Sequence, residues 1–187
     1  MTKIYFVRHA QPDESWEDDR TRPLTSLGME DRKAVTACLS AYPIDAFYAS
    51  PYRRSVDTIS GAAQAFGMEI HTDERFRERK QGKNSYDYLQ QRWENFDFCE
   101  PGGECLRSVQ TRNIEAMKEV LLHHPNQSVV IGTHGTALSS ILHYYNPAFA
   151  SADFLRIRLW MPYILRLDFE DGHPGISGEL LVVNRGY

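Results

Sequence analysis

A chain of 187 residues, 42% hydrophobic and 25% charged, is long enough to bury about 70% of its unfolded-chain surface, and we expect one domain over residues 1–187. Its formal charge of −4 argues against a nucleic-acid partner, because proteins that track phosphate backbones carry a basic surface, yet a small anion needs only a few cations. Three scattered cysteines, no apolar stretch approaching the ~18 residues of a membrane span and no secretion signal at the start exclude a zinc or redox framework and a membrane partner, and lead us to expect a cytoplasmic protein.

Ile4-Tyr5-Phe6-Val7 is a continuous apolar run ended by Arg8-His9. Ala34, Val35, Cys38 and Leu39 then recur at helical spacing and stop before Pro43. The second apolar run, Ala46-Phe47-Tyr48-Ala49, ends in Ser50-Pro51, which reads as a helix N-cap followed by proline at the first helical position. Val56, Ile59, Ala63 and Phe66 continue that helix, and Gly67 stops it. Asp73 to Lys80 reads as a solvated charge run. Tyr86, Tyr88, Trp93, Phe96 and Phe98 read as the packing of a small helical insertion. Leu106, Val109, Met117, Val120 and Leu121 mark a longer helix ending near Pro125, with His123-His124 where positive charge is favoured. The third run, Val129-Val130-Ile131-Gly132, ends in Thr133-His134-Gly135, and Tyr163–Phe169 and Leu180–Val183 read as strands around the turn-like 171–175.

Continuous apolar runs of this length suit strands buried on both faces of a parallel sheet. Alternating with helices, they predict an α/β fold, a three-layer α/β/α sandwich with a mostly parallel central sheet. Parallel strands put their carboxyl ends on one edge, where open α/β sheets bind ligands. Arg8, His9, His134 and one or both of Arg53 and Arg54 therefore converge in one crevice. Helices beginning near Pro51 and Gly135 are expected to direct free backbone N–H groups there, which favours an anion. Arginine forks hold a phosphate dianion. A neutral imidazole beside it can act as a nucleophile, and a second histidine can donate to the phosphoryl oxygens. No carboxylate cluster suits magnesium and no His/Cys arrangement suits zinc, so neither metal nor another cofactor is expected. The partner is a small phosphorylated substrate.

These residues carry a resemblance. Phe6-Val7-Arg8-His9-Ala10, Leu24-Thr25-Ser26-Leu27-Gly28, Ser50-Pro51-Tyr52-Arg53-Arg54 with Thr58, Phe76-Arg77-Glu78 with Gly82, Pro101-Gly102-Gly103-Glu104 with Arg112, and Val130 to Gly135 occur in this order. Together the chain resembles the histidine phosphatase superfamily, its phosphoglycerate mutase-like first branch. The resemblance implies that His9 is the phosphorylated nucleophile and Glu78 the proton donor to the leaving group. It implies a phosphate pocket of Arg8, Arg54 and His134, choosing Arg54 over Arg53, with Gln11 and Gly135 as substrate-binding positions. The implied activity is hydrolysis of phosphomonoesters through phosphohistidine. Phosphoglycerate mutase chemistry on the same intermediate, or a non-catalytic phospho-ligand binding module, are the alternatives. The chain departs from the pattern at Ala10, where the motif has glycine, in Gln11 to Ser15, at Lys83-Asn84-Ser85 and at Cys105. These departures touch the rim more than the phosphate pocket.

Overall fold

The computed structural model describes residues 1–186, apart from the side chains of Ile176 and Ser177; Tyr187, the last residue of the expected domain, lies outside the described residues. The strands are β1 (Thr2–Arg8), β2 (Ala46–Ala49), β3 (Ile70–Thr72), β4 (Ser128–Thr133), β5 (Trp160–Glu170) and β6 (His173–Asn184). The helices are α1 (Ser26–Leu39), α2 (Arg53–Phe66), α3 (Leu89–Glu94), α4 (Leu106–His123), α5 (Gly135–Tyr145) and α6 (Ser151–Arg158).

On β1, Ile4 and Phe6 join the core that includes Met117 of α4 and Leu138 of α5. Tyr5 and Val7 join the opposite core, with Val35 of α1 and Ile59 of α2. A strand covered on both faces has no solvent side to mark with polar residues, so it reads as an unbroken apolar run. The sheet order is β3-β2-β4-β1-β5-β6. The three strands read from the sequence are therefore neighbours, paired in parallel from β2 through β4 to β1. β3, too short and exposed to carry an apolar run, adds a parallel edge. β5 and β6 run antiparallel, so the sheet is mixed, with helices on both faces.

Three sequence expectations are corrected. First, α2 begins at Arg53 with Tyr52 at its N-cap and no side-chain cap, so Ser50-Pro51 is not the helix start. Second, only Asp171-Gly172 forms the hairpin turn. Both residues have positive φ (49° and 79°), the geometry of a two-residue turn, and His173-Pro174-Gly175 already belong to β6. Third, the charge run is not all solvated. Arg79 is 4% exposed and, with Arg92, grips the buried Glu100 carboxylate at 2.9 and 3.2 Å. This ion cluster ties the segment 79–100 together. Trp93 packs that insertion against Phe96, Phe149 and Phe154, whereas Tyr86 stays 60% exposed. Among the described residues no helix is long and apolar enough to cross a membrane.

Candidate active site

The carboxyl ends of β1, β4 and β2 are joined by backbone bonds, His9 N–H to the Thr133 carbonyl (3.2 Å) and Ser50 N–H to that of Gly132 (3.0 Å). This brings the His9 and His134 rings to 5.2 Å between centroids. His9 Nδ1 lies 2.8 Å from the Ala10 carbonyl oxygen. That oxygen can only accept, so Nδ1 carries the proton and Nε2 presents its lone pair. Arg54 Nε donates to this Nε2 at 3.3 Å. Ala10 costs nothing here: among the described non-glycine residues only Asn84, Asn126 and Asp171 have positive φ, so the site does not require a glycine's freedom after His9. Thr58 Oγ1 accepts from Ala10 N–H (2.9 Å) and donates to the Arg54 carbonyl (2.7 Å), linking the two functional segments.

Arg8 is buried, with Nη1 donating to the carbonyls of Ile157 (2.5 Å) and Trp160 (3.0 Å). Its Nε has no hydrogen-bond partner. A Cβ added at Gly135 would lie 3.4 Å from that Nε, so glycine lets the start of α5 stand against the guanidinium. Arg54 Nη1 is held by the Asp19 carbonyl (2.6 Å) and carboxylate (3.0 Å). Arg53, by contrast, is an exposed residue paired with Asp57 one helical turn on. Ser50 Oγ lies 2.7 Å from His134 Nε2 and accepts Tyr52 N–H (3.2 Å). With the serine proton turned to Nε2, His134 Nδ1 is an N–H donor; it too is buried without a partner.

The expectation of free N–H groups at α5 is corrected. Thr136 and Ala137 donate theirs to the two Glu78 carboxylate oxygens at 3.0 and 3.1 Å, and Arg79 N–H adds a third bond at 2.8 Å. The Glu78 backbone is fixed in turn by Arg112, which donates to the carbonyls of Arg75, Arg77 and Glu78 and is paired with Glu104. Glu104 therefore holds the segment that carries Glu78 and is not the N-cap of α4; that place belongs to Cys105. Gln11 is drawn to the start of α1: Thr25, the N-cap, donates through Oγ1 to Gln11 Oε1 (2.8 Å) and accepts Gly28 N–H (3.0 Å). A Cβ at Gly28 would meet the Gln11 carbonyl oxygen at 2.4 Å, which accounts for the Leu-Thr-x-x-Gly pattern. Asp19 and the Ser50–His134 contact escape the sequence reading. Asp19 lies in a polar loop without periodicity, and Ser50 already had a plausible role as a cap.

Burial, then the Arg54 and Arg8 charges, hold the His9 imidazole well below the usual histidine range, against the pull of the Ala10 carbonyl. His134 is pushed the same way by burial, Arg54, His9 and Arg8. Burial also lowers Arg8, to about 10, with Glu78 opposing, so Arg8 stays cationic at neutral pH. Both histidines are thus neutral in the folded chain, while in the unfolded chain they bind protons below about pH 6.5. Stability is therefore full above that pH and falls as pH drops, by up to about 1.4 kcal/mol per pH unit for each histidine. Urea unfolding between pH 7.5 and 5.5 should show this slope, and His134→Gln should reduce it. An unchanged slope in the variant would mean that His134 is not held neutral.

The site thus gathers two buried guanidinium groups, an imidazole lone pair and an unpartnered imidazole nitrogen around one point, an arrangement complementary to a phosphoryl group. Known proteins resemble this chain in sequence and share its fold. Phosphoserine phosphatase 1 of Hydrogenobacter thermophilus is 30% identical over 150 residues, covering 72% of this chain and 71% of that protein. The probable phosphoglycerate mutase GpmB of Salmonella choleraesuis is 28% identical over 200 aligned positions, covering 95% and 90%. Among solved structures, phosphoserine phosphatase from Entamoeba histolytica in complex with 3-phosphoglyceric acid has the same fold, with TM-score 0.79, 18% identity and coverage of 97% and 98%. YhfR of Bacillus stearothermophilus gives 0.77 at 21% identity, covering 100% and 97%. The family model described as histidine phosphatase superfamily (branch 1) matches residues 4–178, and the chain belongs to that superfamily.

Proposed function

We propose that this chain is a phosphatase that hydrolyses small phosphomonoesters through a phosphohistidine on His9, without a metal. The observation that carries the reading is the pair of buried, unpartnered nitrogens, Arg8 Nε and His134 Nδ1, beside the lone pair of His9 Nε2. In the first step that lone pair forms a bond to phosphorus as the ester P–O bond breaks. Arg8, Arg54 and His134 hold the three equatorial oxygens, whose charge they meet with fixed donors. Glu78 delivers a proton to the departing alkoxide. In the structure its carboxyl group accepts three backbone N–H bonds, two on Oε1 and one on Oε2, which leaves one lone-pair site on Oε2 to carry the proton. In the second step Glu78, now a carboxylate, takes a proton from the water that attacks phosphorus; the P–N bond breaks, its electron pair returns to Nε2, and inorganic phosphate leaves with His9 neutral and Glu78 protonated again. Gln11 and Gly135 serve as substrate contacts in this scheme; the close approach of Gly135 to the Arg8 guanidinium supports its part. Three scattered cysteines support a cytoplasmic setting.

All the positive charge in this scheme comes from side chains. Release of nitrophenolate from para-nitrophenyl phosphate should therefore be the same in EDTA as without it. Loss of activity in EDTA, restored by an added divalent ion, would overturn the metal-free mechanism. A phosphoglycerate interconversion assay on the same preparation separates transfer to water from return of the phosphoryl group to a second hydroxyl.

A further inference from the structure

Arg158 is the one arginine among the described residues with neither a hydrogen bond nor a carboxylate partner; its guanidinium carbon lies 4.6 Å from the centroid of the Tyr86 ring. Other arginines of the chain are engaged in ion pairs. Arg156 pairs with Glu179, Arg77 with Glu104, Arg20 with Glu74 and Arg22 with Asp19.

Its position ties it to the phosphate pocket. Arg158 ends α6, and the carbonyls on either side of it, Ile157 and Trp160, are the two that hold Arg8 Nη1. Arg8 in turn feels the charge of Arg158. A cation at a helix C-terminus ordinarily answers the helix dipole. Here the Ile157 carbonyl already takes both the Leu159 N–H and the Arg8 guanidinium, so that end of α6 has a buried cation of its own. Arg158 instead adds a further positive charge near Arg8, whose own charge it disfavours. Tyr86 does not need the stack for burial either, since it remains 60% exposed. An aromatic face holding a half-buried guanidinium keeps its plane fixed and its N–H edge available.

We propose that Arg158, stacked on Tyr86, is a second anion subsite that receives the carboxylate of a phosphomonoester whose phosphate lies on Arg8, Arg54 and His9. One unpaired guanidinium matches one negative charge, and its planar fork fits a carboxylate with two parallel hydrogen bonds. The preferred substrates are therefore phosphorylated hydroxy acids in preference to neutral phosphorylated alcohols. This rests on the phosphatase reading for the placement of the phosphate, and it concerns only the second group.

The test compares two ligands of nearly equal shape, 3-phosphoglycerate and glycerol phosphate, which differ in a carboxylate against a hydroxymethyl group. Calorimetric binding to the full chain carrying His9→Ala avoids turnover. We expect 3-phosphoglycerate to bind at least about tenfold more tightly than glycerol phosphate. Arg158→Gln should collapse that ratio to within about twofold, and Arg158→Lys, which keeps the charge without the fork, should leave an intermediate ratio. Tyr86→Leu, which removes the platform and leaves the cation, should lower the ratio as well. An unchanged ratio in Arg158→Gln, equal weakening of both ligands, or no preference in the parent chain would each overturn the proposal. Hydrolysis of glycerol phosphate by the chain with His9 intact reports separately on the phosphatase reading, so its failure is distinguishable from failure of the subsite.

Discussion

Replacing His9 with alanine should reduce phosphatase turnover by on the order of 10³-fold or more, the scale on which removal of a covalent nucleophile is felt, while the chain stays folded. The imidazole sits between the Ala10 carbonyl at Nδ1 and the Arg54 guanidinium at Nε2, and neither partner depends on it. Ala10 remains bonded to Thr58, and Arg54 keeps Asp19. The substitution leaves a small polar cavity next to two arginines, which water or phosphate can fill. Rapid acid quench should find label from a ³²P substrate on the parent chain and none on the variant, with the acid lability of a P–N bond. Turnover near that of the parent would remove His9 from the nucleophile role. A missing label together with unfolding would point to a structural role, so near-UV circular dichroism belongs in the same experiment. Residual binding of phosphate by the variant is expected, because Arg8, Arg54 and His134 are untouched.

The reasons why some of this was readable in sequence are physical. β1, β2 and β4 lie in the middle of the sheet, and their double burial writes an apolar run that needs no tertiary information. Parallel order then puts His9, Ser50 and His134 at one edge, so the convergence of the histidines with an arginine follows from topology. The choice between Arg53 and Arg54 did not follow. In the structure it comes down to which face of α2 each occupies: Arg54 is buried against His9, and Arg53 reaches Asp57 in solvent. Ser50 reads as a cap because Ser-Pro is the local signature of a helix start. The chain runs on for two residues, and Arg53 N–H finds the Arg20 carbonyl, a partner more than thirty positions away. The Arg79–Glu100–Arg92 cluster was invisible for a related reason. Charged residues are expected in solvent, and only the tertiary pairing of three separated side chains makes their burial tolerable. Glu78 was singled out by the family resemblance alone. The contacts that distinguish it from Glu74 belong to Arg112, Glu104 and the first turn of α5, which no local pattern announces.

Glu78→Gln should slow alkyl phosphates by about 10²-fold or more, within the range of general acid catalysis, and aryl phosphates by about tenfold or less. A nitrophenolate leaves without a proton; an alkoxide does not. The substitution has a second effect that must be separated from the first. Glu78 accepts from Thr136, Ala137 and Arg79, and a glutamine places an NH₂ group against at least one of these N–H donors. That conflict loosens the start of α5, which also carries Gly135 against Arg8, and it should weaken both substrate classes alike. The discriminating readout is therefore the slope of log(kcat/KM) against leaving-group pKa, compared between parent and variant. A steeper dependence in Glu78→Gln assigns the proton to Glu78. A parallel line, displaced downward, would leave Glu78 as the residue that holds α5 in place and send the search for the acid elsewhere. Arg112→Met gives the control, because Arg112 fixes the Glu78 backbone through three carbonyls without approaching the leaving group. It should displace the line and, where it frees the carboxylate from its place, steepen it less than Glu78→Gln does.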